Sequence, residues 1–415
     1  KGRLSISPDQ INDLLNEMVK SEQSNQVIDI EVLKASLPDL IYPMFKGEHS
    51  ISSPIWNNTE IRVWQFQLNQ IEQVRPEQSA TPFTVIIPAR NEAANIKACV
   101  DSILNQDYPA AAFEIIVIDD FSEDDTAFIV HALSQQYPQL RLLKLADHCK
   151  DGETLAYKKK AIEIAVAQAK GDWILTTDAD CIVPSRWLLL YNAYIHQHQP
   201  CFVAAPVMFI KKAGILNQFQ VLDFLALQGI TAAAVGAGKH SMSNGANLGF
   251  EKAAFIAVGG YQGVDHIASG DDMFLMHKMK QTLHKPVGYL FHPDAIVLTA
   301  AMDTWKGFIM QRIRWASKAR YYDDHSITMV LTLVYFFNLS FICLALMGSW
   351  STLLIALAFK TFFELFFLDP VAKFFQLQPE LKYFVFYQPI HIVYNIAAGL
   401  FGQLKTYSWK GRKVK

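Results

Sequence analysis

Two aspartates separated by one residue, Asp178 and Asp180, close the apolar run Trp173-Ile-Leu-Thr-Thr177. Along a strand, side chains alternate faces, so residues i and i+2 share one. Both carboxylates can therefore meet one divalent cation just past the strand's carboxyl end, where open α/β sheets bind their ligands. An isolated Asp-x-Asp says little, because such pairs also recur in turns and helix caps. Here it has company. Asp119 and Asp120 follow a second apolar run, Glu114–Ile118, and Asp271 and Asp272 open a later helical stretch. A positioned carboxylate can take the proton of an attacking hydroxyl, although two acids at a helix start can also simply cap it. Further on, Gln311-Arg-Ile-Arg314-Trp315 sets a guanidinium able to fork onto phosphate beside an indole able to stack or to anchor at an interface.

These residues need a frame. Thr84–Ile87, Glu114–Ile118, Leu140–Leu145 and Trp173–Thr177 read as apolar strands, with helical spacing between them at Ile96, Val100 and Ile103 and over Ala156–Ala169. Strands that are continuously apolar and alternate with helices predict a mainly parallel sheet covered on both faces. Both acid pairs then share one carboxyl-end rim. Cys201–Phe209 predicts a further strand, and Leu216–Val235 a long helix. Its Asn217, Gln218, Gln220, Asp223 and Gln228 argue for packing or an interface rather than a span. Val287–Leu290 and Ala295–Leu298 predict short strands.

The last hundred residues differ in kind. Thr304–Tyr322 alternates aromatic and basic residues, as an interfacial amphipathic helix does. Ile327–Leu346, Leu353–Leu368 and Phe384–Leu404 follow as apolar stretches. The first is long enough to span a bilayer. The second is short and carries Lys360 and Glu364, an i,i+4 pair. The third contains Gln388, Pro389, His391 and Asn395. The basic tail is expected in the cytoplasm. Because three full spans would reverse it, two to three membrane helices are expected, one of them interfacial or re-entrant.

Composition agrees. The 415 residues suit about two to three domains. They are 51% hydrophobic and 18% charged, with 28 Phe, against an average charged share of about 25%. A net charge of −2 gives no global case for nucleic acid. Five scattered cysteines without a C-x-x-C argue against a disulfide scaffold or a zinc site and fit reduced cytosolic thiols. The chain starts at Lys1 without Met, so an N-terminal piece is expected to be missing, and no signal peptide is recognisable in what remains.

In this order and spacing the motifs resemble the membrane-bound family 2 glycosyltransferases, whose wider relatives are the chitin, hyaluronan and cellulose synthases and the ceramide glucosyltransferases. The residues that carry the likeness are Val85-Ile-Ile-Pro88-Ala-Arg-Asn-Glu92, Ile118-Asp119-Asp120-Phe-Ser122, Lys158 three residues before Ala161-Ile162, Asp178-Ala-Asp180, Gly270-Asp271-Asp272 and Gln311-Arg-Ile-Arg314-Trp315. The resemblance implies a GT-A fold: a Rossmann-like, mixed but mainly parallel sheet with helices on both faces, followed by a helical membrane region. It implies that Asp178 and Asp180 hold Mg²⁺ or Mn²⁺ against a donor diphosphate, Asp180 more strongly, with Asp178 shared with the ribose. Pro88, Ala89, Glu92, Asp119 or Asp120, Lys158 and Arg314 would bind the nucleotide sugar. Asp272 would be the general base of an inverting transfer giving a β-linkage. Asn247, Asp271, Gln311 and Trp315 would line the acceptor and lid side. For Lys159 and Lys160 a solvated helix face is the plainer expectation.

The expected layout is an accessory segment at 1–80, the catalytic domain at 81–303, the interfacial helix at 304–325, membrane helices at 326–408 and a basic tail at 409–415. The expected partners are a nucleotide-sugar donor, a UDP-sugar first, a saccharide or lipid-linked acceptor, and membrane lipid, with no nucleic acid; the sequence names no protein partner. The expected place is a bacterial inner membrane with the catalytic domain cytoplasmic. Two other readings are a nucleotidyltransferase acting on sugar phosphates and a non-catalytic membrane scaffold that keeps the fold. Against the first stand the apolar C-terminal part and the Gln-x-x-Arg-Trp motif, and against the second the intact acids.

Overall fold

Strand β1 (Phe83–Ala89) and strand β2 (Phe113–Asp119) are buried almost throughout and pair in parallel, with Phe83 opposite Phe113 and Ala89 opposite Asp119. Helices cover both faces, so the strands read as near-continuous apolar runs, and the buried polar pair between them is satisfied, Thr84 Oγ1 donating to Glu114 Oε1 at 2.8 Å. The computed structural model describes residues 80–414, apart from 155, 237–241, 319–324, 405–406 and 410–411. The expectations for the leader, an accessory segment with helices after Ser7 and at Ile28–Leu37, lie outside the described residues.

Seven strands form the main sheet in the order β3-β2-β1-β4-β7-β5-β8. Strand β3 is Leu140–Lys144, β4 Trp173–Thr176, β5 Phe202–Ala204, β7 Leu248–Glu251 and β8 Val287–Tyr289. Pairs β1–β2, β2–β3, β1–β4 and β5–β8 are parallel, and β7 runs antiparallel to β4 and β5. The sheet is mixed and mainly parallel, as expected. Helices α1 (Ile96–Leu104), α2 (Thr126–Ser134), α3 (Tyr157–Gln168) and α4 (Trp187–His198) connect its strands.

Two differences have physical causes. The stretch 201–209 is not one strand. It breaks after Ala204 and resumes as β6 (Val207–Phe209), which pairs with β9 (Val297–Thr299) in a separate two-stranded sheet. Pro206 has no N–H to give a ladder, so the chain changes sheets there. Its carbonyl instead accepts from Val297 N at 3.1 Å and Asn247 Nδ2 at 2.7 Å. Strand β7 carries no apolar alternation and escapes a pattern search. Its Gly249 is required by packing, since a Cβ there would fall 2.5 Å from Leu175 Cδ2 and 3.0 Å from the Tyr191 ring.

The C-terminal part is helical. Helix α5 (Ile215–Gly236) precedes β7, and α6 (Lys252–Ala257) and α7 (Asp271–Leu283) follow it. Then come α8 (Trp305–Ala316), α9 (His325–Leu346), α10 (Trp350–Phe374) and α11 (Phe384–Leu404). Among the described residues, α5, α9, α10 and the stretch containing α11 are long and apolar enough to cross a membrane. Two-thirds of α5 is buried, against 11% of α9 and 17% of α10, so α5 belongs to the packed core as its polar residues suggest. Helix α10 is not short: it runs for 25 residues and continues past Leu368 through Pro370. Lys360 and Glu364 do pair, at 2.6 Å, and Gln388 of α11 bonds to both.

Candidate active site

The acids stand where the strands end. After β1 the chain turns at Asn91, whose φ is +53°, and this turn is tied to the end of β2. Asp120 N donates to Ala89 O at 2.7 Å, Asn91 N to Ser122 Oγ at 3.0 Å, and Arg90 donates to the carbonyls of Asp120 and Phe121. After β4, Cys181 N donates to Asp178 O at 3.1 Å, and this turn presents Asp178 and Asp180 together. Opposite them, α7 begins at Asp271. Gly270 supplies its N-cap in the left-handed region, φ +81°, where a Cβ would strike the Phe274 ring at 2.6 Å. Neither aspartate is the cap. Both lie in the first turn, where the helix dipole favours their charged forms.

Lys158 on α3 joins the groups. Its Nζ lies 2.8 Å from Asp178 Oδ1 and 3.1 Å from Asp271 Oδ2. Burial alone would lower its pKa, but Asp178, Asp271 and Asp272 outweigh that and hold it above the ordinary range, so it stays charged at neutral pH. Asp271 is pushed upward by burial and pulled down further by Lys158 and Lys318, so it is ionised. Asp272 Oδ1 accepts from Met273 N at 2.8 Å and lies 3.7 Å from Lys318 Nζ.

A cleft of about 370 Å³ opens among these residues. Of the candidate site residues, Pro88, Ala89, Glu92, Asp120, Lys158, Asp178, Asp180, Asp271, Asp272, Gln311, Arg314 and Trp315 line it. Two do not. Asp119 lies beneath the rim, where Oδ2 accepts from Ser122 N at 3.3 Å and the buried Oδ1 has no partner. Asn247 is fully buried and saturated: Oδ1 accepts from Trp187 Nε1 and Tyr191 Oη, and Nδ2 donates to Pro206 O and Ala295 O. It braces β6, β7 and α4 and has no free group for an acceptor.

The structure adds residues that the spacing did not reveal. Lys318 lies one turn beyond Arg314 and also lines the cleft, as do Phe209, Phe224 and Met302, which form an apolar wall. No motif marks these; only the fold brings them there. Lys159 is not on a solvated face. It is buried, donates to Val264 O at 2.7 Å and Ile267 O at 2.8 Å, and burial drops its pKa to about 8. Lys160 is exposed as expected.

The chemistry of the donor set fits a hard divalent cation. Ligand atoms of Asp178, Asp180 and Cys181 lie within 4.8 Å of one another. Burial and the two aspartates raise the Cys181 thiol above its ordinary pKa, and hard cations prefer oxygen to sulfur, which favours the two carboxylates as the ligands. Asp178 also pairs with the Lys158 ammonium at 2.8 Å, so the lysine stands beside the two carboxylates.

The profile of Glycosyl transferase family 2 matches residues 84–255, and that of Glycosyl transferase family group 2 matches residues 173–368. The chain is 25% identical over 300 residues to the probable glycosyltransferase YdaM of Bacillus subtilis, covering 68% of this chain and 63% of YdaM. It is 24% identical over 282 residues to the poly-beta-1,6-N-acetyl-D-glucosamine synthase of Staphylococcus aureus, with shares of 67% and 63%. The chain thus spans less than two-thirds of the length of these relatives. A solved mannosyltransferase from Pyrobaculum calidifontis, in complex with GDP-Man and Mn²⁺, aligns at 20% identity and TM-score 0.48 over 77% of this chain and 87% of that one. Likeness at that score adds nothing to the sheet order above. By the two profiles, the chain carries a family 2 glycosyltransferase domain.

Proposed function

We propose that this protein transfers a sugar from a nucleotide-sugar donor, a UDP-sugar first among candidates, to a saccharide or lipid-linked acceptor, inverting the anomeric configuration at a membrane surface. One observation carries the reading. The aspartate pair, Lys158, Asp272 and Arg314 converge on one cleft at the carboxyl ends of parallel strands. In this reading Pro88, Ala89 and Glu92 line the nucleoside end. Of the two acids after β2, Asp120 lines the cleft and suits an N–H or hydroxyl of the nucleoside, with Asp119 beneath it. Asp178 and Asp180 would hold Mg²⁺ or Mn²⁺, which supplies charge neutralisation for a departing diphosphate. Lys158 and Arg314 add fixed positive charge beside it. The acceptor hydroxyl attacks the anomeric carbon and gives its proton to Asp272, while the bond to the diphosphate oxygen breaks on the opposite face. An α-linked donor then yields a β-linked product.

The apolar wall of Phe209, Phe224 and Met302, continuous with Trp315, suits the flat face of a sugar or the first methylenes of a lipid. Exposed Met329, Leu333 and Phe336 on α9, and Leu354, Phe359 and Phe363 on α10, form a belt that fits a bilayer. The detergent-purified chain, given UDP-sugars or GDP-mannose with Mn²⁺ or Mg²⁺, is expected to release nucleoside diphosphate. Asp272→Asn should slow this by about 10²-fold or more, and Asp180→Ala should abolish the response to added cation. Variants as active as wild type would overturn the roles, and a chain that binds no nucleotide sugar would overturn the reading itself.

A further inference from the structure

The Gln-x-x-Arg-Trp segment carries two arginines, and they face different ways. Arg314 lines the cleft. Arg312, two positions earlier and so off that face of α8, points into the protein and is only 4% exposed. Its Nε and Nη2 both donate to Oδ2 of Asp223 on α5, at 2.9 and 2.6 Å. The other oxygen of that carboxylate accepts from the Tyr394 hydroxyl of α11, with His391 Nε2 at 4.0 Å. The remaining arm, Nη1, donates to Gln311 Oε1 at 2.7 Å. The guanidinium sits over the Phe308 ring at 4.6 Å and the Trp315 ring at 4.2 Å. Gln311 and Trp315 are the residues of this helix that face the cleft beside Arg314.

A buried ion pair is a poor way to gain stability, because desolvation offsets most of the attraction and apolar residues of equal volume pack as well. What this pair does supply is direction. The planar fork fixes the orientation of Arg312, and Arg312 in turn touches an amide and a ring that face the substrate side. Asp223 is therefore a junction between α5, α8 and α11.

We propose that Arg312, Asp223 and Tyr394 form a positioning clamp that holds Gln311 and Trp315 in register with the reacting groups and ties that register to α5 and α11. The clamp deepens the transferase reading and rests on it. These are positioning residues, since none of the three lines the cleft. Of the donor-side groups, Asp178, Asp180 and Lys158 lie off α8 and the clamp does not contact them, whereas Arg314 shares the helix. Loss of the clamp should therefore act on turnover more than on donor affinity, because misplacement of about 1 Å can cost on the order of 10²-fold in rate.

The test uses the full chain in detergent. Arg312→Lys keeps the charge and loses the fork, Asp223→Asn keeps the shape and loses the charge, and Tyr394→Phe removes one hydrogen bond. We expect kcat to fall about 30- to 100-fold in the first two and a few-fold in the third. Donor KM should stay within about threefold, and the Arg312→Lys/Asp223→Asn double variant should be no worse than the poorer single, because the two act as one unit. Wild-type kcat in Arg312→Lys, or a rise in donor KM that accounts for the whole loss, would overturn the clamp. A second measurement needs no turnover. Amide hydrogen exchange over residues 305–316 should quicken in Asp223→Asn while exchange in β1 and β4 stays as in wild type; unchanged exchange over 305–316 would overturn the clamp. If wild type turns over no nucleotide sugar, the transferase reading fails, and the exchange result still decides whether Asp223 holds α8.

Discussion

A methyl group added at Gly245 would lie 2.9 Å from the Lys158 ammonium and 3.1 Å from Asp271 Oδ2. The Gly245 carbonyl accepts from Thr176 Oγ1 at 2.9 Å, so the backbone has little freedom to retreat. The flexible lysine must give way instead. Gly245→Ala is therefore expected to raise donor KM several-fold with little change in the thermal midpoint, as read by initial rates and a melting curve. An unchanged KM would show that Lys158 is not a donor ligand. Much at this scale was legible beforehand. That Asp178, Asp180, Lys158, Asp271 and Asp272 would share one cleft was readable from the order of the motifs that carry the family resemblance. Lys159 was not, because a run of three lysines looks the same whether its middle member is solvated or, as here, buried against Val264 O and Ile267 O. Gly245 was not either, because its constraint comes from side chains distant in sequence.

Among elements, β7 and the break at Pro206 decide how the cleft is walled. Strand β7 reverses direction between β4 and β5, and Asn247 just before it holds four groups at once. Asn247→Ala removes that brace and leaves buried donors and acceptors unpaired, at about 1–3 kcal/mol each. The thermal midpoint is expected to fall by at least several degrees, while donor KM of the folded fraction stays within about twofold. A large KM change with no loss of stability would restore Asn247 to the acceptor side. The parallel half of the sheet could be read from its apolar runs. The antiparallel half could not, since Leu248–Glu251 is four residues long with a glycine in it, and short strands carry no period.

At the scale of the whole molecule, the exposed apolar belt and the cleft belong to one chain of packed helices. Most of α9 and α10 is exposed and apolar. The full chain is expected to sediment with membranes and to resist carbonate extraction, leaving only with detergent; release by carbonate would overturn the membrane reading. The order of motifs along the chain made this layout legible, whereas the packing of α5 and α8 against α10 and α11 depends on side-chain fit that no pattern encodes. One contact there reaches further. Gly402 of α11 meets the last turn of α8 so closely that a Cβ on it would sit 2.9 Å from Ala316 Cβ and 3.1 Å from the backbone of Ala316 and Ser317. The small Ala316 methyl is the side chain between the two helices there, and Gln403 Nε2 donates to Ala316 O at 3.1 Å beside it. The roof of the cleft therefore has no joint of its own. It rides on the helix beneath it, so a shift of α11 at Gly402 is a shift of the helix end that carries Trp315.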